Sequence, residues 1–281
     1  MLPSASLREA RFLFAPSPST SESSVAVRLR AAGCVFAEVE AHLLVTEAST
    51  PADLDAMVNR RIAGLPLEQI LGWAEFSGLR ISVQPGVFVP RLRTEFLTRR
   101  AIQLAKRRHS PIVLDLCCGS GAIGVAIAAH VSPLDLIAAD IHPAAVECAR
   151  RNIAGRGVVF EGDLFEPIPF ELRGRIDIVV ANAPYVPSTM VEMMPPEARL
   201  HEPRLTFDGG EDGLDLHRRI AGEAPSWLTS GGHLLMECSE RQAPIVVEIF
   251  STCGLAVQVA RREESDSTVV IGTNSIEVIS A

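Results

Sequence analysis

No apolar run in this chain approaches the ~20 residues that a transmembrane helix needs, so a helical membrane span is not expected. Metal-ligand spacing is also missing. The six cysteines, Cys34, Cys117, Cys118, Cys148, Cys238 and Cys253, are scattered. The adjacent pair Cys117-Cys118 suits neither a zinc knuckle nor an easy disulfide. Reduced thiols, no metal and a cytoplasmic location are the expectation. Positive charge is in deficit: 26 basic against 34 acidic side chains leave a net −8, whereas duplex nucleic acid usually calls for a basic face. The local clusters Arg99-Arg100 with Lys106-Arg107-Arg108, and Arg150-Arg151 with Arg156, are read as solvated helix faces. Residues 1–24 are rich in Ser, Pro and Ala but lack an apolar core followed by a small-residue cleavage site, which argues for a flexible tail over a secretory signal. Internal repeats are absent. Tyrosine occurs once, as Tyr185.

What is present suffices for one good-sized domain and a smaller one, and a hydrophobic share of 47% predicts a substantial buried core. Apolar residues at helical spacing predict helices over 25–33 and 36–44. Thr50-Pro51-Ala-Asp53 reads as a helix start, with Thr as cap and Pro at the first helical position. A helical domain over 25–72 follows. Residues 73–96 read as a hairpin linker, because the alternating run 76–83 contains Gly78 and Pro85-Gly86 marks a turn. From 97 to 281 strands and helices alternate. Strands are predicted at 112–116, 134–139, 158–160, 176–181, 233–237, 255–260 and 267–271, and helices at 121–129, 143–152, 214–228 and 242–250. That alternation predicts an α/β fold, a mostly parallel sheet with helices on both faces.

The chemistry gathers where such strands end. Asp115-Leu-Cys117-Cys118-Gly119-Ser120-Gly121 follows the first of these strands and opens a helix; small residues let a ligand approach the backbone, and the helix start offers unpaired N–H groups. Asp140 lies 21 residues beyond Gly119, about the spacing at which an acid reaches ribose hydroxyls. Asp163 and Leu164, after the third strand, are placed to bracket an adenine. These three loops, with Asn182 after the fourth strand, predict a nucleoside cofactor. Gly119-Ser-Gly121-Ala-Ile-Gly124 satisfies the dinucleotide pattern in full, so the glycine loop alone does not separate NAD from S-adenosylmethionine. Asn182-Ala183-Pro184-Tyr185, after the fourth strand, favours the latter. An Asn side-chain oxygen and the next backbone carbonyl both accept hydrogen bonds from one –NH₂ group, and an aromatic ring covers its flat face.

The chain resembles the HemK/PrmC family of protein-(glutamine-N5) methyltransferases from about Pro66 to its C-terminus. The resemblance is carried by Pro66-Leu-Glu-Gln-Ile-Leu-Gly72, Glu75-Phe-Ser-Gly78, Val87-Phe-Val-Pro90-Arg91, Thr94-Glu95, Gly162-Asp-Leu-Phe-Glu-Pro167, His201-Glu-Pro203 and Asp208-Gly-Gly-Glu-Asp-Gly213-Leu-Asp215. It implies a class I, Rossmann-like methyltransferase with a seven-stranded sheet and a helical N-terminal substrate-recognition domain. Residues 117–121, Asp140 and Leu164 would contact S-adenosylmethionine, and Asn182 to Tyr185 would hold a substrate glutamine amide, with Asn182 also near the cofactor. The implied substrates are peptide chain release factors and the implied activity supports translation termination; a cytoplasmic monomer is expected. Five positions depart from the family pattern. Ala183 and Leu92 each replace a proline, Arg93 stands where an acid is usual, Cys117 replaces the first loop glycine, and Glu237-Cys-Ser-Glu-Arg-Gln242 lacks the usual glycine. The loop containing residues 193–201 reads as a lid or substrate guide. Three alternatives stay open at this level: an N6-adenine nucleic-acid methyltransferase, a small-molecule N-methyltransferase, and a cofactor-binding interaction protein without turnover.

Overall fold

In the computed structural model, which describes residues 20–275, helical spacing at the N-terminal end becomes a small packed unit. Helices α1 (Thr20–Ala31), α2 (Ala37–Glu47), α3 (Pro51–Ile62) and α4 (Leu67–Leu71) bury Leu29, Ala41, Leu44, Val58 and Leu67 against one another. The α3 start is capped as expected, Thr50 Oγ1 accepting the Asp53 N–H at 3.1 Å with Pro51 in the first turn. Arg61 of α3 grips Glu40 of α2 with both Nε and Nη2, at 2.6 and 3.1 Å. Helix α1 begins at Thr20 rather than at residue 25; the first nineteen residues of the expected tail lie outside the described residues. Helix α4 has no separate signal in the sequence. It is one turn, closed by Gly72 in the left-handed conformation at φ 78°, too short for a periodicity to show.

The hairpin pairs β1 (Trp73–Phe76) with β2 (Leu79–Ser82). Its tight turn is Ser77-Gly78, both at positive φ (52° and 76°), the geometry that matches strand twist in two-residue loops. The expected alternating run 76–83 therefore spans the turn, with Phe76 closing the first strand. Glu95 Oε1 accepts the Ser77 N–H at 2.8 Å, fastening the hairpin to α5 (Glu95–Ala105), while Phe76 and Ile81 are buried under it.

The large sheet comprises β3 (Ile112–Leu116), β4 (Asp135–Asp140), β5 (Gly157–Glu161), β6 (Ile176–Ala181), β7 (Leu228–Cys238), β8 (Leu255–Arg262) and β9 (Ser267–Asn274), in the order β5-β4-β3-β6-β7-β9-β8. Only β9 runs against its neighbours. Alternate residues of each strand serve opposite faces. Val113, Ile178 and Val180 pack with α5, α6 (Ala122–His130) and α7 (Pro143–Ile153). Leu114, Leu116, Val179 and Ala181 pack with α9 (Asp215–Trp227) and α10 (Ala243–Thr252), which follow the single-turn-plus helix α8 (Pro196–His201). Strand order reverses between β3 and β6. The loops leaving these two strands diverge to opposite faces, and the crevice between them is where open α/β sheets take ligands. Among the described residues no helix is long and apolar enough to cross a membrane.

Candidate active site

A cavity of about 340 Å³ opens at this switch point. Its floor is the β3–α6 turn. Cys117, Gly119 and Gly121 all adopt positive φ (54°, 56° and 76°), and an added Cβ on Gly119 would meet nothing within 4 Å. The turn is therefore a backbone cradle facing open space. Cys117, Cys118, Gly119 and Ser120 line the cavity as expected. Gly121 does not. It starts α6 with its Cα pressed on the next helix, where an added Cβ would lie 3.0 Å from Ile153 and 3.3 Å from Ala149.

Two acids hold the cradle. Asp140, ending β4, accepts the Gly119 N–H at 2.8 Å and the His142 N–H at 2.9 Å. Burial raises its pKa, and these two N–H groups oppose the rise. Asp115 is fully buried. Its Oδ2 accepts the Gly124 N–H at 2.8 Å, and its Oδ1 has no partner among the described residues. Burial, reinforced by the charge of Asp140, pushes Asp115 up to about 8. Burial also lifts the Cys117 and Cys118 thiols far above their ordinary value, which leaves neither a nucleophile at neutral pH.

Asp163 and Leu164 form the opposite wall. Leu164 is held at φ 50° with its side chain buried. Phe165, next to it, stacks on Trp227 of α9 at 5.5 Å, and Asp163 is tied to Arg219 of α9 at 2.7 Å. Residues from two distant segments close the cavity, Val87, Phe88, Pro90, Arg91 and Thr94 from one and Leu205, Thr206 and Asp208 from the other. Glu202, whose side chain is fully buried, accepts the Val89 N–H at 3.2 Å and binds Arg91 through both oxygens at 2.7 Å. Arg91 in turn lies 4.8 Å over the ring of Phe88.

The Asn182–Tyr185 turn leaves β6 at the inner edge of the cavity. Asn182 and Pro184 line it; the Ala183 methyl is packed into the core and the Tyr185 hydroxyl is directed to Glu237. Asn182 Nδ2 donates to Thr94 Oγ1 at 3.3 Å, which leaves Oδ1 as an acceptor. No protein donor engages the Ala183 carbonyl among the described residues. Tyr185 donates its hydroxyl to Glu237 at 2.9 Å, sets its ring edge against His217 and lies under the guanidinium of Arg93 at 5.4 Å. Gln242 Nε2 donates to the Tyr185 carbonyl at 2.8 Å. The 208–213 loop braces the turn from behind: an added Cβ on Gly209 would fall 2.7 Å from the Pro184 carbonyl, and one on Gly213 2.3 Å from that of Tyr185.

Thr94, Gln242, Gly209 and Gly213 thus serve the turn without having been assigned a role from the sequence. They stood inside the quoted motifs, but nothing in their spacing says what they touch. The residues present fit S-adenosylmethionine. The uncovered Gly119 cradle and the half-buried acid at Asp140 offer room and acceptors for a nucleoside, the apolar Leu164 offers a wall for its base, and Asn182 reaches the same cavity. Fold and site together define a class I, S-adenosylmethionine-dependent methyltransferase.

Comparison with known proteins narrows the class. Residues 78–195 match the family model described as Methyltransferase small domain. A release factor glutamine methyltransferase of Geobacter sulfurreducens is 40% identical over 70% of this chain and 69% of its own length. A 4-amino-L-phenylalanine/4-methylamino-L-phenylalanine methyltransferase of Streptomyces pristinaespiralis is 38% identical over 70% of this chain and 69% of its own. In three dimensions, a methyltransferase from Pyrococcus furiosus superposes with a TM-score of 0.52 at 18% identity, covering 71% of this chain and 90% of that one; that likeness speaks for the fold. The chain belongs to the family of release factor glutamine methyltransferases.

Proposed function

We propose that this enzyme transfers a methyl group to the side-chain amide nitrogen of a protein glutamine, and that its substrates are peptide chain release factors. The observation that carries the reading is the fixed amide of Asn182: with Nδ2 committed to Thr94, its Oδ1 and the neighbouring Ala183 carbonyl are two acceptors for the two N–H groups of one –NH₂. Alanine at 183 supplies that carbonyl as well as proline does, since it belongs to the backbone. An amide nitrogen is a poor nucleophile because its lone pair is delocalised. Two acceptors held in place orient it and stabilise positive charge as it develops. S-adenosylmethionine, when bound, supplies an electrophilic methyl on a sulfonium; Gly119, Asp140, Asp163 and Leu164 would hold it. Tyr185, the Cys117 thiol and the Cys118 thiol all have raised pKa values through burial, so none serves as a base at neutral pH, and the amide proton leaves to water after transfer.

Helical residues 25–72 are the segment we assign to protein recognition, with the enzyme acting as a monomer. Arg61 of α3 reaches Glu197 of α8 at 3.4 Å, so this unit touches the loop that borders the site. A nucleic-acid substrate fits less well. Arg91 and Arg219, which line the cavity, are each paired with a carboxylate, so among the described residues no unpaired arginine faces it for a phosphate. One relative's substrate is a free amino acid by name, and that supports a second reading, a small-molecule amine. The test is methyl transfer from tritiated S-adenosylmethionine to recombinant release factors, with the Gly-Gly-Gln peptide read by mass spectrometry. A methyl group on that glutamine, absent in Asn182→Ala, is the expected result. Cofactor binding without any such product would sink the substrate assignment.

A further inference from the structure

Arg93 sits where the two substrate readings diverge. It is followed by Thr94, the residue that fixes Asn182, and its guanidinium lies over the ring of Tyr185, so it borders the turn that would grip the substrate amide. An isolated arginine there would suggest a carboxylate-bearing substrate. The arginine is not isolated. Its Nε is 3.0 Å from Glu237 Oε1, and while the Glu237 side chain is 2% exposed, that of Arg93 is 45% exposed. The Arg93 carbonyl accepts the Ser267 hydroxyl at 3.0 Å, and Asp266 beside that serine adds a second negative charge to the field on the guanidinium. A substrate carboxylate placed on Arg93 would be attracted by one cation and repelled by two anions. The arginines that line the adjoining cavity give no relief, Arg91 being bound to Glu202 and Arg219 to Asp163.

Among the described residues no protein acceptor engages the two η nitrogens of Arg93. A guanidinium whose charge is already balanced, but whose N–H groups are free, is suited to a neutral oxygen: it gives a charge-assisted hydrogen bond without asking for a counter-ion. We infer that Arg93 is a specificity-determining residue for this reaction: held on Glu237 and laid over Tyr185, it donates to an uncharged carbonyl oxygen of the substrate chain next to the methylated amide, so that the site accepts glutamine within a polypeptide and rejects the carboxylate of a free amino acid. The opposed charges are the repulsive element that a specific site needs beside its attractive one. This inference rests on the protein-glutamine reading above.

The test compares full-length wild type, Arg93→Lys, Arg93→Met and the double variant Arg93→Met/Glu237→Gln, which avoids leaving a buried carboxylate unpaired. Each is assayed with a recombinant release factor and with free 4-amino-L-phenylalanine, and cofactor affinity is measured by calorimetry. Loss of a hydrogen bond from a charged donor is expected to raise the KM for the release factor by about tenfold or more in both methionine variants, with kcat and cofactor affinity little changed. Arg93→Lys, which keeps the charge but not the fork, should fall between. Wild-type KM in the double variant would overturn the inference and leave the release-factor reading standing. So would efficient methylation of the free amino acid by the wild type, because that reaction requires the carboxylate to be accepted. Cofactor binding by all four proteins, with no methyl transferred to any release factor, would instead remove the substrate reading and the inference with it.

Discussion

Tyr185 and Glu237 are joined by a 2.9 Å hydrogen bond, phenol to carboxylate, between the turn after β6 and the end of neighbouring β7. The same carboxylate oxygen meets Arg93 at 3.0 Å, and the Glu237 backbone carbonyl meets His217 Nε2 at 3.0 Å. Parallel pairing of β6 with β7 puts Ala181 beside Met236. The turn and the acid are thus delivered to each other by sheet register, and the ring of the only tyrosine is packed between His217 and Arg93 outside the cofactor cavity.

Removing the phenol oxygen should therefore cost stability more than cofactor affinity. Glu237 is buried and its Oε2 has no partner among the described residues, so Tyr185→Phe removes a hydrogen bond from a buried polar group that is hard to leave underbonded. A loss of about 1–3 kcal/mol is expected, seen as a lower urea midpoint at unchanged slope. S-adenosylmethionine affinity by calorimetry should match wild type, since Tyr185 does not line the cavity. A tenfold loss of cofactor affinity would contradict this placement.

Thr94→Val keeps the shape of a buried side chain and deletes the acceptor for Asn182 Nδ2. The Asn182 amide is then free to turn, and its oxygen no longer points at one place. The expected outcome is a fall in kcat of roughly tenfold to a hundredfold with the dissociation constant for S-adenosylmethionine unchanged. Wild-type turnover would mean that Asn182 is oriented by something other than Thr94.

The glycines divide sharply by what surrounds them. An added methyl on Gly213 would lie 2.3 Å from the Tyr185 carbonyl, with φ at 81°, so neither the neighbour nor the backbone can yield cheaply. Gly213→Ala should destabilise by at least about 1–3 kcal/mol and displace the turn, abolishing most activity. Gly222, inside α9, has nothing within 4 Å of an added Cβ. Gly222→Ala should stabilise by about 0.5–1 kcal/mol with unchanged turnover. Thermal melts of the two variants side by side check both directions.

Much of this architecture is legible in the residues. Strands β3 and β6 are short apolar runs ended by functional residues, and their predicted bounds, 112–116 and 176–181, are those observed. Period alone revealed the remaining strands with their ends displaced. β7 runs from Leu228 where 233 was expected, because its first residues, Thr229 to Gly232, are polar or glycine and carry no apolar signal. The residues that line the cavity were legible where they cluster in the loops at successive strand ends, Cys117 to Ser120, Asp140, Asp163 with Leu164, and Asn182. The contacts that join distant loops were not. Arg91 and Glu202 are 111 residues apart, and Thr94 and Asn182 are 88 apart; no local pattern encodes a pairing created by sheet order. Arg93 is the sharpest case. From the sequence it reads as a new positive charge at the mouth, and only the fold supplies the Glu237 that balances it.

Stability should depend on pH through Asp115. Its ordinary carboxyl value is 3.8, and burial pushes it up to about 8 in the folded enzyme. The folded state therefore binds the proton more tightly than the unfolded chain. The associated stability is fully present below about pH 4 and is lost as pH rises towards 8. His217 has the opposite sense: burial, with Arg218 adding to it, lowers its value from 6.5 to about 4, so stability is lost as pH falls from 6.5 to 4. Between pH 4 and 6.5 the two slopes oppose each other; above 6.5 Asp115 acts without this opposition. In Asp115→Asn the decline from pH 6.5 to 8 should flatten, and the acid-side loss from His217 should become steeper because the Asp115 contribution no longer offsets it. Urea midpoints at half-unit pH intervals for the two proteins measure this. Parallel stability profiles would mean that Asp115 is ionised in the folded enzyme, and that its unpartnered oxygen carries a charge the protein has found another way to hold.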